Sequence, residues 1–283
     1  MDTLVGLLVA AAAAAWVIGL WWLVGRFIDS AHRVSQDLSG KNPARALAQV
    51  GSLLGLFAMA ASLVTGSTTG TSLVGDLSRV ALFGAVAVLL FDGATWLGWR
   101  MLLGGSLQRE LEEGNLAAGL CAGAHALGAG LLVSHAVVGT TLSSLGTGIA
   151  FFALGQFAWT GLLALFRLLT TYDEAQHIDL GNVAAGVSYA GATIAVALVV
   201  GRAAEAEFHG WLPSILGFGR ALLDGMVLWP IRQGLAGAAL LGARPAVRGG
   251  ALDTAIAHHR VGPAALEAAC LIGTAVLLHA VRR

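Results

Sequence analysis

Charge is what this sequence has least of. Asp, Glu, Lys and Arg make up 11% of its 283 residues, and 57% of the chain is apolar. Soluble domains carry roughly 25% charged residues, so a water-facing surface cannot be assembled here and an integral membrane protein is expected. A surplus of either sign is missing too: 16 basic residues balance 16 acidic ones, which leaves no basic footprint for nucleic acid. Cysteine is reduced to Cys121 and Cys270. Both fall inside apolar runs, too few for a disulfide framework, and read as small buried thiols. Gly104-Gly105 and Gly249-Gly250 lack a following Lys-Ser/Thr and are loop glycines, not a phosphate cradle. No Ser/His/Asp set can be assembled from position. Met1-Asp2-Thr3 lacks the basic stretch of a signal peptide, although Ala10 to Ala15 imitate a cleavage site, so the first apolar run is expected to be a retained span.

Long apolar runs are what the chain does have. A span needs about 20 apolar residues and must satisfy its own backbone, so each run is expected to be a helix. Eight are predicted: Thr3 to Gly25, Ala46 to Thr65, Leu77 to Leu103, Gly114 to Val137, Leu145 to Leu169, Leu180 to Gly201, Ser214 to Leu241 and Val261 to Val281. Trp16, Trp21 and Trp22 in the first suit an interfacial belt. Polar residues Arg26, Asp29, Arg33, Asp37 and Lys41 form the first loop, and Arg282 and Arg283 follow the eighth span.

The runs repeat. Gly114-Asn115-Leu116-Ala117-Ala118-Gly119 returns 67 residues later as Gly181-Asn182-Val183-Ala184-Ala185-Gly186, with Leu131 on Leu198 and Val133 on Val200. Asn42-Pro43-Ala44 and Gly262-Pro263-Ala264 stand as looser copies before two other runs. The unit is a helical hairpin, giving one membrane domain, 1–283, with repeats at about 3–66, 76–138, 142–203 and 212–283. At an offset of 141, Arg79 falls on Arg220, Gly84 on Gly225 and Asp92 on Gln233, which makes the third and seventh spans equivalent. Ten basic residues lie in the loops within hairpins and only Arg79 and Arg202 between them. The positive-inside rule then predicts cytoplasmic loops within hairpins, both termini outside, and four parallel repeats.

Asn42, Gly114, Asn115, Gly181 and Asn182 form a helix-start motif, since Asn caps helices and small residues allow close approach in lipid. Convergence of these helix starts on an anion is the functional alternative. Asp92, Gln156, Arg220, Asp224, Arg232 and Gln233 are the polar groups set into the leading helices. An ionisable group in a span costs about 2.5–3.5 kcal/mol, so each is expected to face protein, a partner charge or water. Arg220 and Asp224 share a helix face; Asp92 and Arg232, at similar depth in equivalent helices, are predicted to meet, either as a buried ion pair or as part of a polar path with Gln156 and Gln233. Glu267, in the first turns of its helix, answers the helix dipole. His125, His135 and His279 are the candidates for holding a haem iron, although lone His residues near an interface are ordinary. Asp173, Glu174, His177 and Asp179 match no metal motif and read as a solvated loop.

The run from Tyr172-Asp173-Glu174 into Gly181-Asn182-Val183-Ala184-Ala185-Gly186 resembles the bacterial domain of unknown function 350, whose members are small inner-membrane proteins commonly of four spans made from two such hairpins. The resemblance implies an inner-membrane location and four units in place of two, and implies no activity. The expected fold is thus an all-α membrane protein of eight helices. Its small loops leave no room for a soluble catalytic domain, and no cofactor is expected. Two function classes fit: a channel or transporter with a polar path, or a non-catalytic subunit docking other membrane proteins or further copies of itself. Haem-based electron transfer is a distant third.

Overall fold

The computed structural model describes residues 3–28, 40, 42–102, 107–205, 208–244 and 246–281. Met1-Asp2, Asp29, Arg33, Asp37, Lys41, Leu103, Gly104-Gly105, Arg282 and Arg283 lie outside them. Among the described residues every regular element is helical: α1 (Thr3–Ile28), α2 (Pro43–Ser67), α3 (Leu73–Leu102), α4 (Leu107–Glu112), α5 (Leu116–Ala136), α6 (Leu142–Leu169), α7 (Glu174–Asp179), α8 (Val183–Ala204), α9 (Trp211–Leu223), α10 (Leu228–Ile231), α11 (Ala251–Ala257) and α12 (Val261–Val281). Eight helices are long and apolar enough to cross a membrane, the seventh being the composite run Trp211–Leu240. This is an all-helical, multi-pass membrane protein, with a lipid bilayer as its environment.

Four helices make the core. α2, α5, α8 and α12 stand side by side in that order. Gly51 lies opposite Gly123, Gly55 opposite Gly130 and Gly66 opposite Val138; residue numbers rise together, so α2 and α5 run parallel. Gly186 against Ala117 and Gly201 against Leu131 continue the pattern into α8, and Gly191 against Ala268 into α12. Lipid offers apolar surface no reason to leave it, so these helices associate by backbone approach through small residues. The other spans flank the row: α1 packs on α2 and α3, α3 on α5, α6 on α5 and α8, and the seventh span on α8 and α12. Trp159 Nε1 donates to the Thr193 carbonyl at 3.1 Å, tying α6 to α8 inside the bilayer.

The helix-start motif has a division of labour. Gly114 and Gly181 sit at φ +83° and +77°, where a side chain would be strained. The next residue caps the helix: Asn115 Oδ1 accepts the amides of Ala117 and Ala118, and Asn182 Oδ1 those of Ala184 and Ala185. Its amide nitrogen reaches the following unit. Asn42 donates to the carbonyl of Leu111 at 2.7 Å, Asn115 to that of Ile178 at 2.8 Å and Asn182 to that of Ile256 at 2.8 Å. Each acceptor is the last residue but one of the short helix before the next core helix, so one residue type caps its own helix and stitches the row together.

The fourth copy falls elsewhere than the sequence suggested. The turn geometry of Gly114-Asn115 recurs at His259-Arg260, with His259 at φ +59° and with amides bonded to Ile256 and Ala255, not at Gly262-Pro263. α12 ends the row among the described residues. Elsewhere α3 starts at Leu73, earlier than Leu77, because Asp76 accepts the amides of Thr69 and Gly70 and so folds the preceding turn onto the helix. α6 starts at Leu142 behind a capping box of Thr141 and Ser144.

The seventh span departs most from expectation. It runs as α9, a 3₁₀ turn Asp224–Val227, α10, and a π-helical stretch Arg232–Leu240. Pro230 lacks an N–H and its ring clashes with the carbonyl one turn back, so an α-helix cannot pass through it unchanged. The wider π coil that follows turns Arg232 and Gln233 inward, and both are buried.

Candidate functional site

Two polar regions lie inside the spans, one in each half of the chain. In the second half, Arg232 is 1% exposed and bonds two carboxylates: Nη2 meets Asp253 Oδ1 at 2.5 Å, and Nε pairs with Glu267 Oε1. Asp253 Oδ2 accepts the Thr171 amide at 2.7 Å and its hydroxyl at 3.1 Å; Glu267 Oε2 accepts the Ser188 hydroxyl at 2.8 Å. Every carboxylate oxygen is therefore used. The guanidinium also lies 4.8 Å from the Trp229 ring centroid. This network joins the end of α6, the π stretch, α8, α11 and α12; Arg232 Nη1 is buried without a partner, and the charge-assisted bonds from Nε and Nη2 tie together the elements that they span.

The sequence placed Arg232 with Asp92, and that is corrected here. Arg232 meets Asp253 and Glu267, because the break at Pro230 directs it toward α11 and α12. Glu267 is a direct ion partner, not only an answer to the helix dipole. Asp253 and Ser188 were missed, since a lone acid in a loop and a lone serine in a span carry no pattern.

Glu174 was read as part of a solvated loop and is buried instead, 3.6 Å from Arg167. Burial pushes its carboxyl up to about 7; the nearby Glu267 and Asp253 add to the rise, and Arg167 and Arg232 oppose it. An acid raised in the fold from its ordinary 4.5 contributes stability that is complete below that value and lost as pH rises through about 7. The melting temperature in detergent should therefore fall as pH rises from 4.5 toward 7 and level off above it, with a stability loss of about 1.3 kcal/mol in the window between pH 6 and pH 8. Glu174→Gln should flatten that slope; a variant that keeps the slope would assign it elsewhere.

The first half holds a cavity of about 480 Å³ between α1, α2, α3 and α4. Asp92 lines it, and Asp92 Oδ2 is buried with no hydrogen-bond partner. Thr95 Oγ1 and Trp99 Nε1, on the same helix and the same cavity, are likewise buried without partners. Gln156 is buried on α6, with Nε2 3.3 Å from Thr160 Oγ1, and Gln233 donates to the Gly249 carbonyl at 3.1 Å. No hydrogen bond or ion pair joins Asp92, Gln156, Arg232 and Gln233 to one another among the described residues. Arg220 is exposed on α9, and Asp224 borders a second cavity of about 360 Å³ with Arg202, Glu205 and His279.

Two of the histidines meet. His135 and His279 have ring centroids 5.7 Å apart, and the missing side chain of Gly201 leaves room for the His135 ring. His135 Nδ1 lies 3.3 Å from Glu205, and the His135 and Arg202 contacts hold the Glu205 carboxyl down to about 2. His125 stacks on Trp159 at 4.3 Å and is packed against Gly98. At the loop end, the Asn115 amide, with Arg109 beside it, holds the Glu110 carboxyl below its usual range.

No curated protein gives a match, and neither does any solved structure. A family model does match, over residues 1–137 and again over 140–281. Each segment holds four of the eight spans, and the boundary falls in the short turn between α5 and α6. With nearly the whole chain matched in two segments, this protein belongs to the family described as Domain of Unknown Function (DUF350).

Proposed function

We propose that the protein is a membrane transporter for a small solute, with the solute site at Asp92. One observation supports this reading above the others: a carboxyl inside a span, its Oδ2 buried without a partner, borders a cavity large enough for a ligand. The comparison within the chain sharpens it. Asp253 and Glu267 recover their desolvation cost from Arg232, Thr171 and Ser188, whereas the cost of Asp92 is not met by the protein. The polar path expected from four residues thereby narrows to one cavity, because Arg232 and Gln233 are held by other partners.

Liposomes carrying the purified protein, incubated in a mixed small-molecule extract and analysed by mass spectrometry, should accumulate a solute that empty liposomes do not. Asp92→Asn, nearly isosteric, should lose at least about tenfold in initial rate, the loss expected when a buried charge partner of about 1.4 kcal/mol or more is removed. No accumulated solute, or undiminished uptake by the variant, would overturn the reading.

A non-catalytic subunit is the second reading, and one feature favours it. α12 closes the row and leaves Gly262, Ala265, Ala269 and Gly273 exposed along one face, spaced as small residues are at helix contacts in lipid. Stoichiometric co-purification of another membrane protein would move the weight there.

A further inference from the structure

We infer that the cavity at Asp92 binds an organic monocation with an apolar body, such as a quaternary ammonium or a protonated amine; this deepens the transport reading and rests on it for the solute's role. Asp92, Thr95, Trp96 and Trp99 follow the 3–4 spacing that places side chains along one face of α3, and all four line the cavity. Trp21 closes it from α1 and Ser52 from α2. One carboxyl among three indoles is the chemistry that recognises an alkylated ammonium: the carboxylate answers the charge, and aromatic rings attract a cation more strongly than they attract water's competitors of neutral charge.

The charge count selects a single positive charge. Among the described residues, Asp92 is the only acid on the cavity wall. Arg45 stands at the α2 edge, and its Nη2 is 3.2 Å from Glu112, which answers it outside the cavity. Arg100 lies over the Trp96 ring at 5.5 Å from its exposed end of α3, so that ring is shared and the cation is left chiefly to Trp21, Trp99 and Asp92. A divalent metal is disfavoured, since no cluster of three His, Cys, Asp or Glu able to hold one occurs among the described residues and hard cations need six or more oxygens. An anion is disfavoured by Asp92. The unpartnered Trp99 Nε1 and Thr95 Oγ1 add a donor and a hydroxyl for a polar substituent on the ligand.

The test uses the full chain purified in detergent, with benzyltrimethylammonium as the probe and neopentylbenzene, in which carbon replaces the charged nitrogen, as the neutral isostere. Titration followed by tryptophan fluorescence and by calorimetry at pH 8 should give saturable binding of the cation, about tenfold or more tighter than the isostere. Asp92→Asn should lose most of that preference, and Trp99→Leu should weaken the cation more than the isostere. Equal binding of cation and isostere by the parent protein, or no saturable binding of the cation, overturns the inference without recourse to any variant. Because binding is read in detergent, its failure is separable from that of transport: bound cation with no uptake into liposomes sinks only the transport reading, and uptake of some other solute with no bound cation sinks only this one.

Discussion

Arg232→Met is expected to cost about 3–5 kcal/mol of stability, the usual result of removing one partner from a buried ion pair. The side chain is replaced at similar volume, so little of the loss comes from a cavity. It comes from Asp253 and Glu267, which stay behind with their other contacts to Thr171 and Ser188 and no positive charge near enough to offset their desolvation. The effect should be strongly non-additive. In an Arg232→Met background, Asp253→Asn and Glu267→Gln each remove an uncompensated charge and should restore part of the loss, whereas in the parent each should destabilise. Thermal unfolding in detergent, followed by circular dichroism across this set, measures the coupling. If Arg232→Met melts with the parent, the network is not holding the end of α6 to α11 and α12, and rigidity of the second half must come from the small-residue row alone.

The contrast between the two halves explains what sequence reading reached and what it missed. Span number, approximate span limits and the family resemblance rest on composition and a six-residue repeat, which survive any detail of packing. The charge partners rest on helix phase, and the seventh span does not keep phase. An ideal helix through Asp224 to Leu240 would turn 100° per residue; the 3₁₀ turn, Pro230 and the π stretch each alter that count. The offset of 141 that aligned Asp92 with Gln233 therefore aligned positions along the chain while their surroundings diverged, one half closing on an ion network and the other opening on a cavity. Glu174 was hidden for a different reason. Its neighbours Asp173, His177 and Asp179 make the segment look solvated, yet only Glu174 and Ile178 of α7 are buried, a pattern of about one turn, too short to register as amphipathic. Asn115 and Asn182 were legible as caps, and their second bond was not, because the acceptor is a backbone carbonyl 63 or 74 residues away.

Gly186→Leu is expected to separate α8 from α5 and to cost about 3 kcal/mol or more, at the upper end of overpacking. Gly186 ends the second copy of the helix-start motif, and a Cβ there would lie 2.9 Å from the Cα and carbonyl oxygen of Ala117. Those atoms belong to the first turn of α5, which Asn115 caps from below and Glu110 braces through Asn115, so they cannot yield locally. Relief requires the helices to part along their length, which would also strain the bond from Asn115 to the Ile178 carbonyl. Gly119, the same position in the first copy, meets Ala44 in the same way at 2.6 Å, and a Gly119→Leu/Gly186→Leu protein is expected not to assemble. Gly161→Ala supplies the control: nothing lies within 4 Å of its Cβ, and removing a helical glycine there should leave stability unchanged or raise it by up to about 1 kcal/mol. Unfolding in detergent, with cysteine crosslinking of α5 to α8 as a proximity readout, separates the cases. A Gly186→Leu protein with native stability and native crosslinking would mean that the row is held by the flanking spans and not by its own backbone contacts.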